Sequence, residues 1–479
     1  MGSAGGRAGG PQILRWRHTL REDFVNVDGL SQAGLCMGCG MCEAVCPAEA
    51  VVVRRHDRKG IYLPAVDPEL CTQCGLCLDV CPGESVDIER HASAVLDGAH
   101  SDGLIGVYHA CYVGHAASQD IRYNASSGGL VTSLLVYAIE ASLIDGALVL
   151  GMSESNPLET EPFIATTPSE VVSASGSKYC PSAINVGLRH ILSEHGRFAV
   201  VGLPCQIHAV RKLETINTEL RSRIVLRLGL FCANNTTYLG SEYLLRCNGV
   251  HPEDVHRIRY RAEGWPGKIR VVLRDGTTRI IAVKPAVEKR WYRRALYSSA
   301  FHYDFTIPRC LSCVDQTCEL ADIALGDPWL PEYTRSERIG KSLVIVRNEL
   351  GARLVKAAMQ ARVVALEEVP PQVVKRAQNY AYKASVGARI RLQQALGRAT
   401  PDYGNRPLHY RTSDLLRAVR YLPSLFSHHR SLWPLLSFLA IVEYATRRVA
   451  SRLGSVSRSW TRRLRLGNRN PQAGAEKPR

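Results

Sequence analysis

Apolar and polar positions change rhythm along the chain. Between about residues 100 and 400, short apolar runs alternate with stretches of helical period. GALVLGM (146–152), FAVVG (198–202), IVLRLGLF (224–231), ADIALGD (321–327) and SLVIVRN (342–348) predict strands. LVTSLLVYAIEASL (130–143), QIHAVRKL (206–213) and GARLVKAAMQ (351–360) predict helices. IRVVLRDGTTRIIAV (269–283) predicts a hairpin, because Asp275-Gly276 suits a tight primed turn. Strands and helices alternate but a hairpin interrupts them. The expected fold is therefore mixed α/β (α+β), a mixed sheet with flanking helices, and not a doubly wound sheet.

Outside that stretch the pattern changes. Residues 1–34 read as a loose lead segment, and residues 35–90 carry eight cysteines in two copies of one motif, offset by 35 positions. Cys36-x2-Cys39-x2-Cys42-x3-Cys46-Pro47 is followed by Cys71-x2-Cys74-x2-Cys77-x3-Cys81-Pro82. Each copy is a bacterial ferredoxin run. Three thiolates on one tight loop reach three corners of a cubane, and the fourth lies too far round and completes the other cluster. One 4Fe-4S cluster is therefore assigned to Cys36, Cys39, Cys42 and Cys81, the other to Cys71, Cys74, Cys77 and Cys46. Structural zinc would place cysteines in separated pairs. The expected unit is a small ferredoxin-like two-cluster domain at 35–90 followed by the mixed-sheet domain at 100–400.

Composition narrows the class. Sixteen cysteines in 479 residues are too sparse for a secreted disulfide scaffold. The opening MGSAGGRAGG has no apolar core of a secretory signal. A reducing, cytoplasmic compartment is expected. The net charge of +16 is uneven: from Tyr403 onward fifteen Lys/Arg face three Asp/Glu, so this segment carries +12. The body is near neutral, which argues against nucleic acid as a partner. Within the basic tail (403–479), LWPLLSFLAIV (432–442) is apolar but far shorter than the roughly 20 residues of a membrane span. Beside clustered arginines it reads either as peripheral contact with the inner membrane face or as a partner-docking helix.

Four further cysteines occupy strand ends or a pair. Cys205 lies at a strand-to-helix turn, where a helix N-terminus favours thiolate. Cys232 ends a strand, and Cys310-x2-Cys313 is a pair. They suit a third 4Fe-4S cluster, with Cys318 as a spare ligand, or are buried apolar thiols. Cys111, Cys180 and Cys247 read as core residues. Ser126-Ser127-Gly128-Gly129 at a helix start is a candidate anion site or simply a cap, provided by Asn124 or a serine. Lys178 is a candidate phosphate partner. No G-x-G-x-x-G occurs, so a Rossmann domain is not expected.

In order along the chain, the ferredoxin pair, Ser126-Ser-Gly-Gly129, Ser142-Leu-Ile-Asp-Gly146, Gly176-Ser-Lys-Tyr179, Gly202-Leu-Pro-Cys-Gln206, Gly229-Leu-Phe-Cys232, Cys310-x2-Cys313 and Ala321-Asp-Ile-Ala-Leu-Gly-Asp327 resemble the coenzyme F-420 hydrogenase/dehydrogenase beta-subunit family. Its relatives include 7-hydroxymethyl chlorophyll a reductase. Leu203 stands where Thr is usual, and residues beyond about 400 have no counterpart. The resemblance implies FAD near Ser126–Gly129 and Lys178, a third cluster on Cys205, Cys232, Cys310 and Cys313, and an oxidoreductase exchanging electrons with coenzyme F-420 or a redox partner protein. Alternatives are a non-catalytic electron-transfer subunit and a ferredoxin-fed reductase of a small organic substrate. A homo-oligomer is compatible with all three. No catalytic acid or base is assigned, and Asp327 reads as a turn residue.

Overall fold

The five predicted apolar runs become strands, and Ala110–Ala116, Thr160–Ala165 and Val364–Glu368, not read from the sequence, join them. In chain order the eight are β1 (Ala110–Ala116), β2 (Gly146–Met152), β3 (Thr160–Ala165), β4 (Phe198–Gly202), β5 (Ile224–Leu230), β6 (Ile323–Gly326), β7 (Ser342–Val346) and β8 (Val364–Glu368). The computed structural model describes residues 12–14, 24–281, 290–378, 380, 383 and 385–449. The eight strands form one sheet in the order β8-β1-β7-β6-β5-β4-β2-β3. β6, β5, β4 and β2 pair in parallel. β7, β1, β8 and β3 are joined by antiparallel pairing. The fold is the mixed sheet expected.

Helices α1 (Leu130–Glu140) and α2 (Pro204–Ile216) follow β1 and β4, and α3 (Glu349–Gln360) follows β7. Both sheet faces are covered, so the strands read as continuous apolar runs. Alternate residues divide between two cores: Leu148 and Val200 pack with Ile207 and Val210 of α2, whereas Ala147, Val149 and Ala199 pack with Leu134 of α1 and Leu354 of α3. Pro204 is the first residue of α2, where its missing N–H costs no bond.

The predicted hairpin forms, as Lys268–Leu273 and Thr278–Ile281, but with Val255–Ala262 it makes a separate three-stranded antiparallel sheet. Its turn is not primed. The Gly276 amide donates to the Leu273 carbonyl and only Gly276 has positive φ (+84°), while Leu273 N–H donates to the Thr277 carbonyl. This is a three-residue loop ending in a left-handed glycine.

The cysteine-rich unit is built from the hairpin Val51–His56/Ile61–Val66 and two short helices, Met41–Ala44 and Leu76–Asp79. The repeat is structural: Gly40 (φ +87°) and Gly75 (φ +76°) precede the two helices in the same left-handed conformation, which an L side chain adopts only with strain.

Two expected boundaries move. Residues 24–34 of the lead segment are not loose. Helix Val27–Gln32, capped by Asn26 Oδ1 on the Asp28 amide, buries Val27 and Leu30 against the cysteine unit. Nor does a separate tail begin at 403. Tyr403 is buried, and Leu408–Tyr410 pairs antiparallel with Gln12–Leu14. Trp433 and Leu436, in the helix 433–449, sit in the core with Tyr243 and Phe305. Apolar burial draws both segments onto the body. The arginines beyond 449 lie outside the described residues. Among the described residues no helix is long and apolar enough to cross a membrane.

Candidate functional site

All sixteen cysteines are free thiols. The two motif loops fold round adjacent small cavities. Cys36, Cys39, Cys42 and Cys81 line one, with Val27 and Leu30 above it; Cys46, Cys71 and Cys74 line the other, and Cys77 borders both. The fourth cysteine of each motif thus lines the cavity of the partner loop. Burial, and then the Cys81 thiol, push Cys36 and Cys39 up to about 12. Thiols spread round a cavity suit a cluster that brings its own sulfides.

Parallel pairing assembles the second set. Gly202 of β4 is in register with Gly229 of β5, so the two strands end side by side. Cys205 follows one end as the second residue of α2, and Cys232 follows the other. The turn Pro308–Ser312 and the next residue add Cys310 and Cys313. Burial, and then the neighbouring thiols of Cys310, Cys39, Cys232 and Cys313, push the Cys205 thiol well above its ordinary value. The thiolate-favouring helix terminus expected there is outweighed. Asn185 links this group to the first cavity: its amide donates to the Cys39 carbonyl at 3.0 Å and its side chain to the carbonyl of Gln206, next to Cys205, at 3.1 Å. Lys383 donates to the Cys313 carbonyl at 3.1 Å, and its charge opposes the rise at Cys232. Cys318 is fully buried and packs against Gly229 and Ala321, and the Cys232 thiol is among the groups that push its own thiol up. Cys111 and Cys180 are buried as expected; Cys247 is exposed and not a core residue.

Two cations, the buried Arg309 and the half-buried Lys212, tie the cysteine unit to the sheet domain. Arg309, adjacent to Cys310, donates to the carbonyls of Gly83 (2.9 Å) and Pro82 (3.1 Å), beside Cys81, and to Tyr403 Oη (3.0 Å). Lys212 of α2 donates to the carbonyls of Cys81 (2.7 Å) and Ser85 (2.8 Å). Charge-assisted bonds of this kind are stronger than neutral ones and fix relative position.

A cleft of about 410 Å³ opens at the carboxyl ends of the parallel strands, and Cys232 lines it. Open α/β sheets place ligands there. Ser126, Ser127, Gly129 and Lys178 line this cleft together with Leu130, Val131 and Thr132 of the first turn of α1. The expected cap is absent: α1 starts at Gly129 (φ +76°) with no side-chain cap, and Asn124 instead bonds Asp120. Gly128 serves packing. Its amide donates to Ser342 Oγ at 2.8 Å, and a Cβ there would meet the Gly114 carbonyl oxygen at 2.7 Å. Burial lowers the Lys178 ammonium to about 8.

The far wall was not legible in the sequence. Arg261 grips Asp327 through two bonds of 2.6 and 3.0 Å, and Trp265 Nε1 donates to the same carboxylate at 2.7 Å. Trp265 and Trp329 stack with centroids 5.0 Å apart. Asp327 is thus a buried-wall anchor and not merely a turn residue. Its one signal, an aspartate at the end of an apolar strand, cannot reveal a partner 66 residues away.

Three family models match the chain. Those for the N-terminal and C-terminal parts of the coenzyme F420 hydrogenase/dehydrogenase beta subunit match residues 111–189 and 195–372, and that for the 4Fe-4S dicluster domain matches 35–85. The beta subunit of coenzyme F420 hydrogenase from Methanococcus voltae is 28% identical over 270 residues, covering 55% of this chain and 86% of the relative. An F(420)H(2) dehydrogenase subunit of Methanosarcina mazei is 27% identical over 329 residues, covering 67% of this chain and 84% of the relative. A solved structure of the F420-reducing [NiFe] hydrogenase complex from Methanosarcina barkeri is similar at 23% identity and a TM-score of 0.46, covering 59% of this chain and 89% of that one.

Proposed function

Because the chain belongs to the coenzyme F420 hydrogenase/dehydrogenase beta-subunit family and carries a 4Fe-4S dicluster domain, we propose that it is an oxidoreductase passing electrons between reduced coenzyme F-420, or a ferredoxin-like donor, and an acceptor through FAD and three 4Fe-4S clusters. One observation carries this reading. The thiol groups follow one another: Cys232 lines the cleft, Asn185 ties the Cys39 carbonyl to that of Gln206 beside Cys205, Cys77 borders both ferredoxin-type cavities, and Cys74 is exposed.

The residues fit the groups. Thiols crowded and raised by burial ionise together only when metal supplies the compensating charge. On this reading Cys205, Cys232, Cys310 and Cys313 hold the third cluster, beside the two on the motif cysteines. The first amides of α1, lining the cleft with Lys178, are suited to a dinucleotide pyrophosphate. A bound flavin supplies the exchange between paired and single electrons. The chain's own part is positioning. Arg309 and Lys212 fix the spacing between cysteine groups, Val27 and Leu30 keep water from one of them, and the Arg261–Asp327 pair holds the indole wall in place.

A second reading, an electron-transfer subunit whose substrate chemistry sits on another polypeptide, is favoured by the relatives named as subunits. Anaerobic purification followed by iron, sulfide and flavin analysis separates the two. The enzyme reading expects about twelve irons per chain, one FAD, and bleaching by reduced coenzyme F-420. Cys232→Ser should remove about four irons. Flavin-free protein with about eight irons would leave only the subunit reading.

A further inference from the structure

The helix 433–449 is apolar on two faces. Its inner face is anchored: Trp433 packs edge-on against Tyr243 and Phe305, Ser437 Oγ lies 2.8 Å from Tyr243 Oη, and Tyr444 stacks on Trp291. Its outer face carries Leu435, Phe438, Leu439, Val442 and Val449, each between 41% and 62% exposed. The spacing is that of a continuous helical stripe. Phe426, 54% exposed, lies just before this helix in the chain. The fold is already served by the inner face, so the outer stripe has no intramolecular packing role among the described residues. Exposed apolar patches rimmed by polar groups mark interaction surfaces.

Charge selects the occupant. Exposed Arg447 and Arg448 lie at the end of the helix, and exposed His429 and Arg430 precede it, Arg430 being paired with Glu242 at 2.7 Å. Arg58 and Lys59, exposed on the hairpin turn of the cysteine unit, act electrostatically on His428 from the neighbouring element. Glu443 is the acidic group on the helix, and it pairs with Arg420 and Arg447. Residues 450–479 add eight Lys/Arg against one Glu. A second copy docked by this face would set one basic rim against another. An anionic lipid surface meets both features at once, taking the apolar stripe into the acyl boundary and the basic groups at the headgroups.

We propose that the chain docks on anionic membrane surface through the outer face of the helix 433–449, with that helix lying in the plane of the interface. This goes beyond the electron-transfer reading and does not depend on it.

Flotation of the full-length holoprotein with vesicles tests it, using phosphatidylcholine alone or mixed in equal parts with phosphatidylglycerol. The expected result is binding to the mixed vesicles, at least tenfold weaker on phosphatidylcholine and weakened by high salt. The double variant Phe438→Glu, Leu439→Glu should bind the mixed vesicles at least tenfold less, with unchanged visible absorbance and far-ultraviolet dichroism. Leu435→Glu, also on the outer stripe, gives an independent second variant. No binding by the parent protein, or equal binding by the folded variants, overturns the proposal. So does a parent dimer that the double variant turns into monomer in sedimentation velocity, which makes a second copy the occupant.

Discussion

Lys178 lines the cleft and donates to the Ala174 carbonyl, with its pKa lowered by burial to about 8. Its charge is present below that value and lost above it, opposite to an exposed lysine that stays charged to beyond 10. If it neutralises a flavin phosphate, flavin affinity should be constant at neutral pH and fall as pH rises through about 8. Lys178→Met should bind about tenfold more weakly at pH 7, a loss of roughly 1.4 kcal/mol, and should not show the fall. Equilibrium flavin titration across pH, read by fluorescence quenching, checks both. Arg261 and Asp327 are different in kind. Their pairing is nearly enclosed, so each partner exists to satisfy the other, and removing one leaves a buried charge uncompensated.

Short elements decide how well the cysteine unit is shielded. The helix Val27–Gln32 is only six residues long and has little intrinsic stability. It is held by packing, with Val27 and Leu30 over the cavity of Cys36, Cys39, Cys42 and Cys81. Leu30→Ala should cost about 2–5 kcal/mol of local packing. Its visible absorbance should then bleach several-fold faster than the parent's on exposure to air. An unchanged bleaching rate would show that this helix does not shield the site. The strands β4 and β5 act in the opposite sense. They are parallel and buried on both faces, so the position of Cys205 and Cys232 at their ends is as rigid as the sheet.

Across the whole molecule, the segment after residue 400 is structural before it is anything else. Tyr403 Oη donates to the Ser312 carbonyl and accepts from Arg309, so it braces both the third thiol group and the Pro82–Gly83 carbonyls. Trp433 closes the core of Tyr243 and Phe305. A chain ending at 402 should therefore lose iron and solubility, because several large buried side chains are removed. A chain ending at 449 should keep its full iron content. Iron and sulfide assay of the two truncations, expressed in parallel, distinguishes a structural segment from a dispensable tail.

Local features were legible in the order of the amino acids. Three cysteines on one loop and a fourth a few residues on have their geometry set by the backbone between them, so which cavity Cys46 and Cys81 line could be expected from spacing alone. The alternation of apolar runs likewise marked the central strands, since burial on both faces leaves a continuous apolar signature. Distant relations came from the packing of elements on one another. It brought the ends of two parallel strands, with Cys205 and Cys232 after them, side by side, added Cys310 and Cys313 from a distant turn, and packed Cys318 against Gly229. It joined Arg261 to Asp327, turned Gly128 toward a neighbouring strand, and chose which apolar face of the helix 433–449 is buried. A sequence pattern records that a side chain is apolar, charged or a thiol. Which other side chain meets it depends on packing between elements far apart in the chain, and that is fixed only when the whole core closes.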